Sequence, residues 1–370
     1  MAVHVRASLL AALCLLLELA LLGAAEQLVP AMFVFGDSTV DVGNNNFIEK
    51  CQIECQAYYP HFGVDYLDHA PTGRFSNGYN LADQLAQQLG FAESPPPYLS
   101  LSNTSLISRM STGINFASGG SGLLYRTGNG PVCTQVLSMT EQVGNFTNLA
   151  QSWASTNNGS ADLLSKSLIF ISTGSNDLFE YIDLRLGSND TEFLHGLVAS
   201  YAAYLKDLYR AGAKKFCVVS PSLVGCCPSQ RATVGDPKDR DKYGCLAVLN
   251  NLSSQLYPMF ATMLQDLSLE LPGMNYSFVD TIKLVDSVLE NPSTPSYNFT
   301  VLDTACCGEG PFGASGCNFS VPLCPNRSNY LFWDEYHPTD AASGIAANMI
   351  FNDTSGLFVH PINVRQLVEL

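Results

Sequence analysis

Four short runs of nearly unbroken apolar residues constrain this chain most: "AMFVF" (31–35), "SLIFIST" (167–173), "KKFCVVS" (214–220) and "YSFVDT" (276–281). A strand with one wet face alternates apolar and polar residues; a continuous run is buried on both faces, as in a parallel sheet. Parallel neighbours cannot be joined by a tight turn, so each pair needs a crossover, usually a helix. The sequence supplies the helices. Apolar spacing predicts them near 80–90 ("NLADQLAQQLG"), over 191–212, over 243–271 and over 339–351. The second carries Phe193, Leu194, Leu197, Tyr201, Tyr204, Leu205 and Leu208 at helical intervals and ends at Gly212, suited to a C-cap. This alternation implies an α/β fold: a doubly wound, mostly parallel sheet flanked by helices in three layers. No internal repeat interrupts it, and the Asn-, Pro-, Gly- and Cys-rich stretch 287–333 reads as a stapled excursion rather than a second domain.

Residues 1–25 have the pattern of a secretory signal peptide: a weakly basic start, an apolar run broken by Glu18, and small residues up to Ala25. That run is short for a membrane span and carries a charge, so stable membrane insertion is not expected. Residues 26–370 would then form one domain. The formal charge of -15 argues against nucleic acid and anionic surfaces as partners. Twelve cysteines include Cys14 in the leader. The others are disulfide candidates in a secreted chain, at least three bridges being expected, most of them around 226–245 and 306–324. Their odd number leaves a free thiol, for which Cys217 inside an apolar strand is the candidate, as inert packing. No CxxC and no finger-like His spacing occurs, so neither a metal nor another cofactor is expected. Sequons at Asn103, Asn145, Asn158, Asn189, Asn251, Asn275, Asn298, Asn318, Asn326 and Asn352 point to N-glycans and an extracellular or vacuolar location.

Chemistry concentrates in four stretches. "FVFGDSTVDVGNNNF" (33–47) delivers Ser38 where a buried strand must turn; turn-forming residues alone would explain it, and so would a nucleophile. "LFWDEYHPTDAA" places Asp334 three residues before His337, close enough for a carboxylate to hold an imidazole. An activated serine needs such a base, and the base needs an acceptor on its far nitrogen. A surface pair is the bland account of one isolated D-x-x-H. "GINFASGGSGLL" (113–124) offers glycines whose N–H groups a reacting oxygen can approach, although glycine loops are common. "ISTGSNDLFEY" (171–181) presents Asn176 beyond a strand's C-terminal end, where ligand sites gather in open α/β sheets, and where a turn former would also be at home.

In this order the four stretches resemble the serine, glycine, asparagine and D-x-x-H blocks of the GDSL esterase/lipase family of SGNH hydrolases. "TGRFSNGYNLADQLAQQLG" and "CCGEGPF" extend the resemblance to the plant secreted branch, over essentially the whole chain after the leader. Thr39 stands where the family's name has leucine, and no effect on the chemistry is expected. The resemblance implies an SGNH or flavodoxin-like sandwich and ester hydrolysis through an acyl-enzyme. It implies Ser38 as nucleophile, His337 as base and Asp334 as its orienter. The oxyanion hole would be the N–H groups of Ser38 and Gly120 and the Asn176 amide, with Gly119 the neighbouring alternative to Gly120. A small-molecule or glycan ester would be the substrate. Two alternatives share the fold: a glycan O-acetylesterase and a catalytically silent binding or storage protein. An α/β-hydrolase is excluded, since no G-x-S-x-G elbow occurs.

Overall fold

Each apolar run forms a strand: β1 (Met32–Gly36), β2 (Leu168–Ser172), β3 (Lys215–Val219) and β4 (Asn275–Val279). The computed structural model describes residues 27–130, 133–157, 159–184, 189–294 and 297–370. The expected leader and Asn158 therefore lie outside the described residues. β1 to β4 pair in parallel in chain order, with Phe33 opposite Ile169 and Ile169 opposite Phe216. β5 (Val301–Ala305) and β6 (Tyr330–Phe332) make a separate two-stranded parallel sheet, while β7 (Val359–Pro361) closes the main sheet antiparallel to β4. Only three residues long and ending in proline, β7 has no pattern that marks it as a strand. At the opposite edge, residues 114–118 run beside β1. Val34 N donates to Ile114 O at 3.1 Å, Phe116 N to Val34 O at 2.8 Å and Ser118 N to Gly36 O at 3.0 Å.

Around the sheet lie α1 (Leu81–Gln88), α2 (Met139–Thr156), α3 (Ser175–Asp183), α4 (Asp190–Arg210), α5 (Ala247–Glu270), α6 (Asp340–Asn352) and α7 (Val364–Glu369). Strand residues alternate between two cores. Phe33, Phe35, Ile169, Ile171, Phe216 and Val218 face α2, α4 and α5 through Phe146, Leu205 and Phe260. Met32, Val34, Leu168, Phe170, Cys217 and Val219 face α1, α6 and α7 through Leu85, Ile350 and Leu367. The sheet is thus buried on both sides, which is why its strands could be apolar throughout. Helices α2, α3 and α7 lie beyond those read from the sequence. α2 nevertheless carries Met139, Val143, Phe146, Ala150 and Trp153 on one buried stripe behind a Ser138/Glu141 capping box.

From β1 the chain passes to 114–118 on one side and later to β2 on the other. That reversal is a topological switch point, and the crevice it opens lies at the carboxyl ends of β1 and β2. Gly36 ends β1 at φ +139°, and a Cβ there would sit 1.9 Å from Ser172 O. Only glycine lets the two strands close while the chain turns outward to Ser38.

Four described disulfides staple the fold: Cys55–Cys133, Cys226–Cys245, Cys306–Cys324 and Cys307–Cys317. Three fall in the neighbourhoods expected from the sequence. Cys217 is free and buried, as expected, and so are Cys51 and Cys227. Two bridges lie within 287–333, where they brace the β5–β6 sheet.

Candidate active site

The turn after β6 is held by backbone pairing on both arms: Trp333 N donates to His337 O at 2.7 Å and Thr339 N to Leu331 O at 3.1 Å. At its tip Asp334 Oδ1 accepts the backbone N–H of Tyr336 at 2.9 Å and of His337 at 2.7 Å. The same carboxylate receives His337 Nδ1, 2.8 Å from each oxygen. One aspartate therefore forms the turn and orients the ring. Pro338 and the N-cap Thr339, whose Oγ1 accepts from Ala342 N, start α6 and fix the exit direction. Cys306 N and Cys307 N donate to Phe332 O and Trp333 O at 3.1 and 2.7 Å, so the disulfide-stapled excursion supports this turn from below.

Across the crevice, His337 Nε2 lies 2.7 Å from Ser38 Oγ. Ser38, Asp334 and His337 are all buried, though 299 residues separate the serine from the histidine. Phe75 packs beside the imidazole with the two rings tilted by 38°, centroids 4.9 Å apart. Burial works to lower the His337 pKa, but the Asp334 charge and hydrogen bond, helped by Glu335 and Asp37, outweigh it and leave the pKa above 6.5. Glu335 is itself pushed up, first by burial and then by Asp334. A hydroxyl bonded to an imidazole backed by a carboxylate is an arrangement that can raise the nucleophilicity of a serine at neutral pH.

The glycine block lies against the same crevice. Gly119 N donates to Asp41 Oδ2 at 2.9 Å, so that N–H is taken. A Cβ at Gly119 would meet the Phe75 ring at 2.6 Å. Gly120 adopts φ +86°, and neither its N–H nor that of Ser38 donates to an acceptor among the described residues. Asn176 is the second residue of α3, placed there by Gly174 at φ +113°. Its Nδ2 donates to Ser121 O at 2.9 Å, which leaves the second amide hydrogen available. Asn176 thus belongs to a helix start rather than to a plain turn.

Two buried carboxylates that sequence reasoning passed over hold this arrangement. Asp41 accepts from Gly43, Asn44 and Gly119, and Asp177 from Leu123 N, Leu124 N and Thr127 Oγ1. Burial raises both to about 6. Their spacing resembles ordinary turn chemistry, so no local signal marks them. Thr39 is also engaged: its Oγ1 lies 2.7 Å from Asp37 Oδ1 and 3.0 Å from Ser172 Oγ.

The profile of the GDSL-like Lipase/Acylhydrolase family matches residues 32–350. The chain belongs to that family. Among its curated relatives, three GDSL esterase/lipases of Arabidopsis thaliana are 36%, 34% and 34% identical to it. They cover 92%, 98% and 92% of this chain, and the matches span 90%, 99% and 90% of their own lengths. As a member of the GDSL family the protein is an ester-hydrolysing enzyme, whose substrates are small-molecule esters. Among the described residues, no helix of this GDSL chain is long and apolar enough to cross a membrane.

Proposed function

We propose that the protein is a serine carboxylesterase or lipase working through an acyl-enzyme. Ser38 Oγ attacks the ester carbonyl as His337 Nε2 takes its proton, and Asp334 stabilises the imidazolium that forms. The carbonyl oxygen becomes an oxyanion, received by the N–H groups of Ser38 and Gly120 and the free Asn176 amide hydrogen. As the tetrahedral intermediate collapses, the imidazolium protonates the leaving alcohol. Water, deprotonated by the same imidazole, then releases the acid and restores Ser38. The observation that carries this reading is the continuous chain Ser38 to His337 to Asp334, at 2.7 and 2.8 Å.

The same reading takes residues 1–25 as a cleaved signal peptide and 26–370 as one hydrolase domain exported through the secretory pathway. The four disulfides support it. So does the exposure of the sequons, since no sequon asparagine among the described residues is buried.

The test is Ser38→Ala assayed on a chromogenic short-chain ester. The variant is expected to fold as the parent and lose nearly all turnover. A well-folded variant with near-parental turnover overturns the reading.

A further inference from the structure

Gln142 stands one turn into α2, with its side chain wholly buried. An uncharged amide in that position must find partners for two hydrogens and an oxygen, and these partners belong to the active site's scaffolding. Oε1 accepts Gly36 N at 2.9 Å. Nε2 donates to Gly36 O at 2.9 Å and to Leu137 O at 2.8 Å, and lies 3.1 Å from Ser121 Oγ. Ser121 Oγ in turn donates to Gly36 O at 2.8 Å.

The reason Gly36 needs such a partner lies in the sheet. Residues 114–118 follow β1 only as far as Gly36, whose left-handed turn carries the chain away from that neighbour. Its N–H would be stranded in the interior. Gln142 Oε1 supplies the acceptor that this N–H lacks, while its Nε2 joins Ser118 N and Ser121 Oγ as a donor to Gly36 O.

Three groups assigned to the oxyanion hole are tied to this one amide. Gly36 is two residues before Ser38. Ser121 follows Gly120, and its carbonyl accepts the Asn176 amide at 2.9 Å. A second contact fastens the same segments, as Leu137 N donates to Ser118 Oγ at 2.9 Å. Resting on the serine-esterase reading, we infer that Gln142 is a positioning residue that sets the register of the three oxyanion donors with respect to Ser38 without touching substrate. Donors displaced by a fraction of an ångström lose much of their value for a charge that develops only in the transition state, while substrate binding is little affected.

The experiment pairs Gln142→Met, of similar length but without hydrogen bonds, with butylboronic acid, which forms a tetrahedral adduct with an active-site serine. On a chromogenic short-chain ester, kcat is expected to fall roughly 10- to 100-fold with KM within about threefold. The boronate inhibition constant should rise by the same factor as kcat/KM falls, because both report on the tetrahedral geometry. Parental kcat in the folded variant overturns the inference, as does a lowered kcat with parental boronate affinity. Should Gln142→Met not fold, Ser121→Ala removes a single hydroxyl from the same network. It should reduce kcat and boronate affinity together by about 3- to 10-fold, and unchanged values overturn the inference equally. The parent protein's own ester turnover and boronate binding test the underlying reading, so an effect confined to the variants concerns Gln142 alone.

Discussion

Asn176 holds Ser121 with one amide hydrogen, and the other has no acceptor among the described residues. Asn176→Ala is therefore expected to lower kcat roughly 10²- to 10³-fold while KM changes little, since a donor aimed at developing charge serves the transition state selectively. Steady-state kinetics well below the unfolding temperature measures this, and an unchanged kcat would leave Asn176 as a helix-start residue only. In the proposed mechanism His337 sets the pH dependence. Its pKa is raised, so the imidazolium persists above 6.5, and only the neutral ring accepts the Ser38 proton. Activity is expected to be full on the alkaline side and to fall as pH drops through that raised value. The acid limb of a kcat/KM profile should thus have its midpoint above 6.5; a midpoint below it contradicts the assignment. Thr39 is the third test. Thr39→Val removes a hydroxyl bonded to the buried Asp37 carboxylate, at a cost of about 1–3 kcal/mol measurable by urea unfolding.

At the scale of elements, the site is an agreement between a strand end, a glycine loop, a helix start and a distant turn. Asp177 enforces one part of that agreement: it sits beside Asn176 on α3 and ties the loop 123–127 to the same helix. The packing leaves no slack, as a Cβ at Gly122 would approach Asp177 Oδ2 to 2.5 Å. Asp177→Ala would strand the buried Leu123 N–H and Thr127 hydroxyl, together with the half-buried Leu124 N–H. The expected loss is at least about 2 kcal/mol, at roughly 1–3 kcal/mol for each such group, with kcat lowered because Asn176 moves with its helix. Denaturant titration beside kinetics checks both halves. A variant as stable as the parent would show that the loop finds other partners.

Across the whole molecule, two of the four described disulfides staple the excursion 287–333, which supports the turn that brings Asp334 and His337 to Ser38. Unfolding in denaturant without reductant should expose three alkylatable thiols, Cys51, Cys217 and Cys227, and no others among the described cysteines. Mass spectrometry of the alkylated protein counts them, and modification at Cys306 or Cys324 would show that bridge to be absent. Removing it by paired serine substitutions should cost about 2–5 kcal/mol.

The sequence by itself determined the sheet and pointed to the side chains proposed to react. Buried parallel strands must be apolar throughout, and turn chemistry around Ser38, Gly120, Asn176 and the Asp334 to His337 stretch is local, so both leave a mark in the order of residues. Tertiary structure alone decided the rest. Gly119 and Gly120 are equivalent in the sequence, and only the approach of Asp41 from 78 residues away occupies the first N–H and leaves the second free. The strand β7 exists because β4 offers it an edge, not because three residues prefer to extend. Gln142, Asp41 and Asp177 read locally as ordinary helix or turn residues. Their importance comes from burial, which makes every backbone group near Ser38 require a partner and leaves distant polar side chains to supply it.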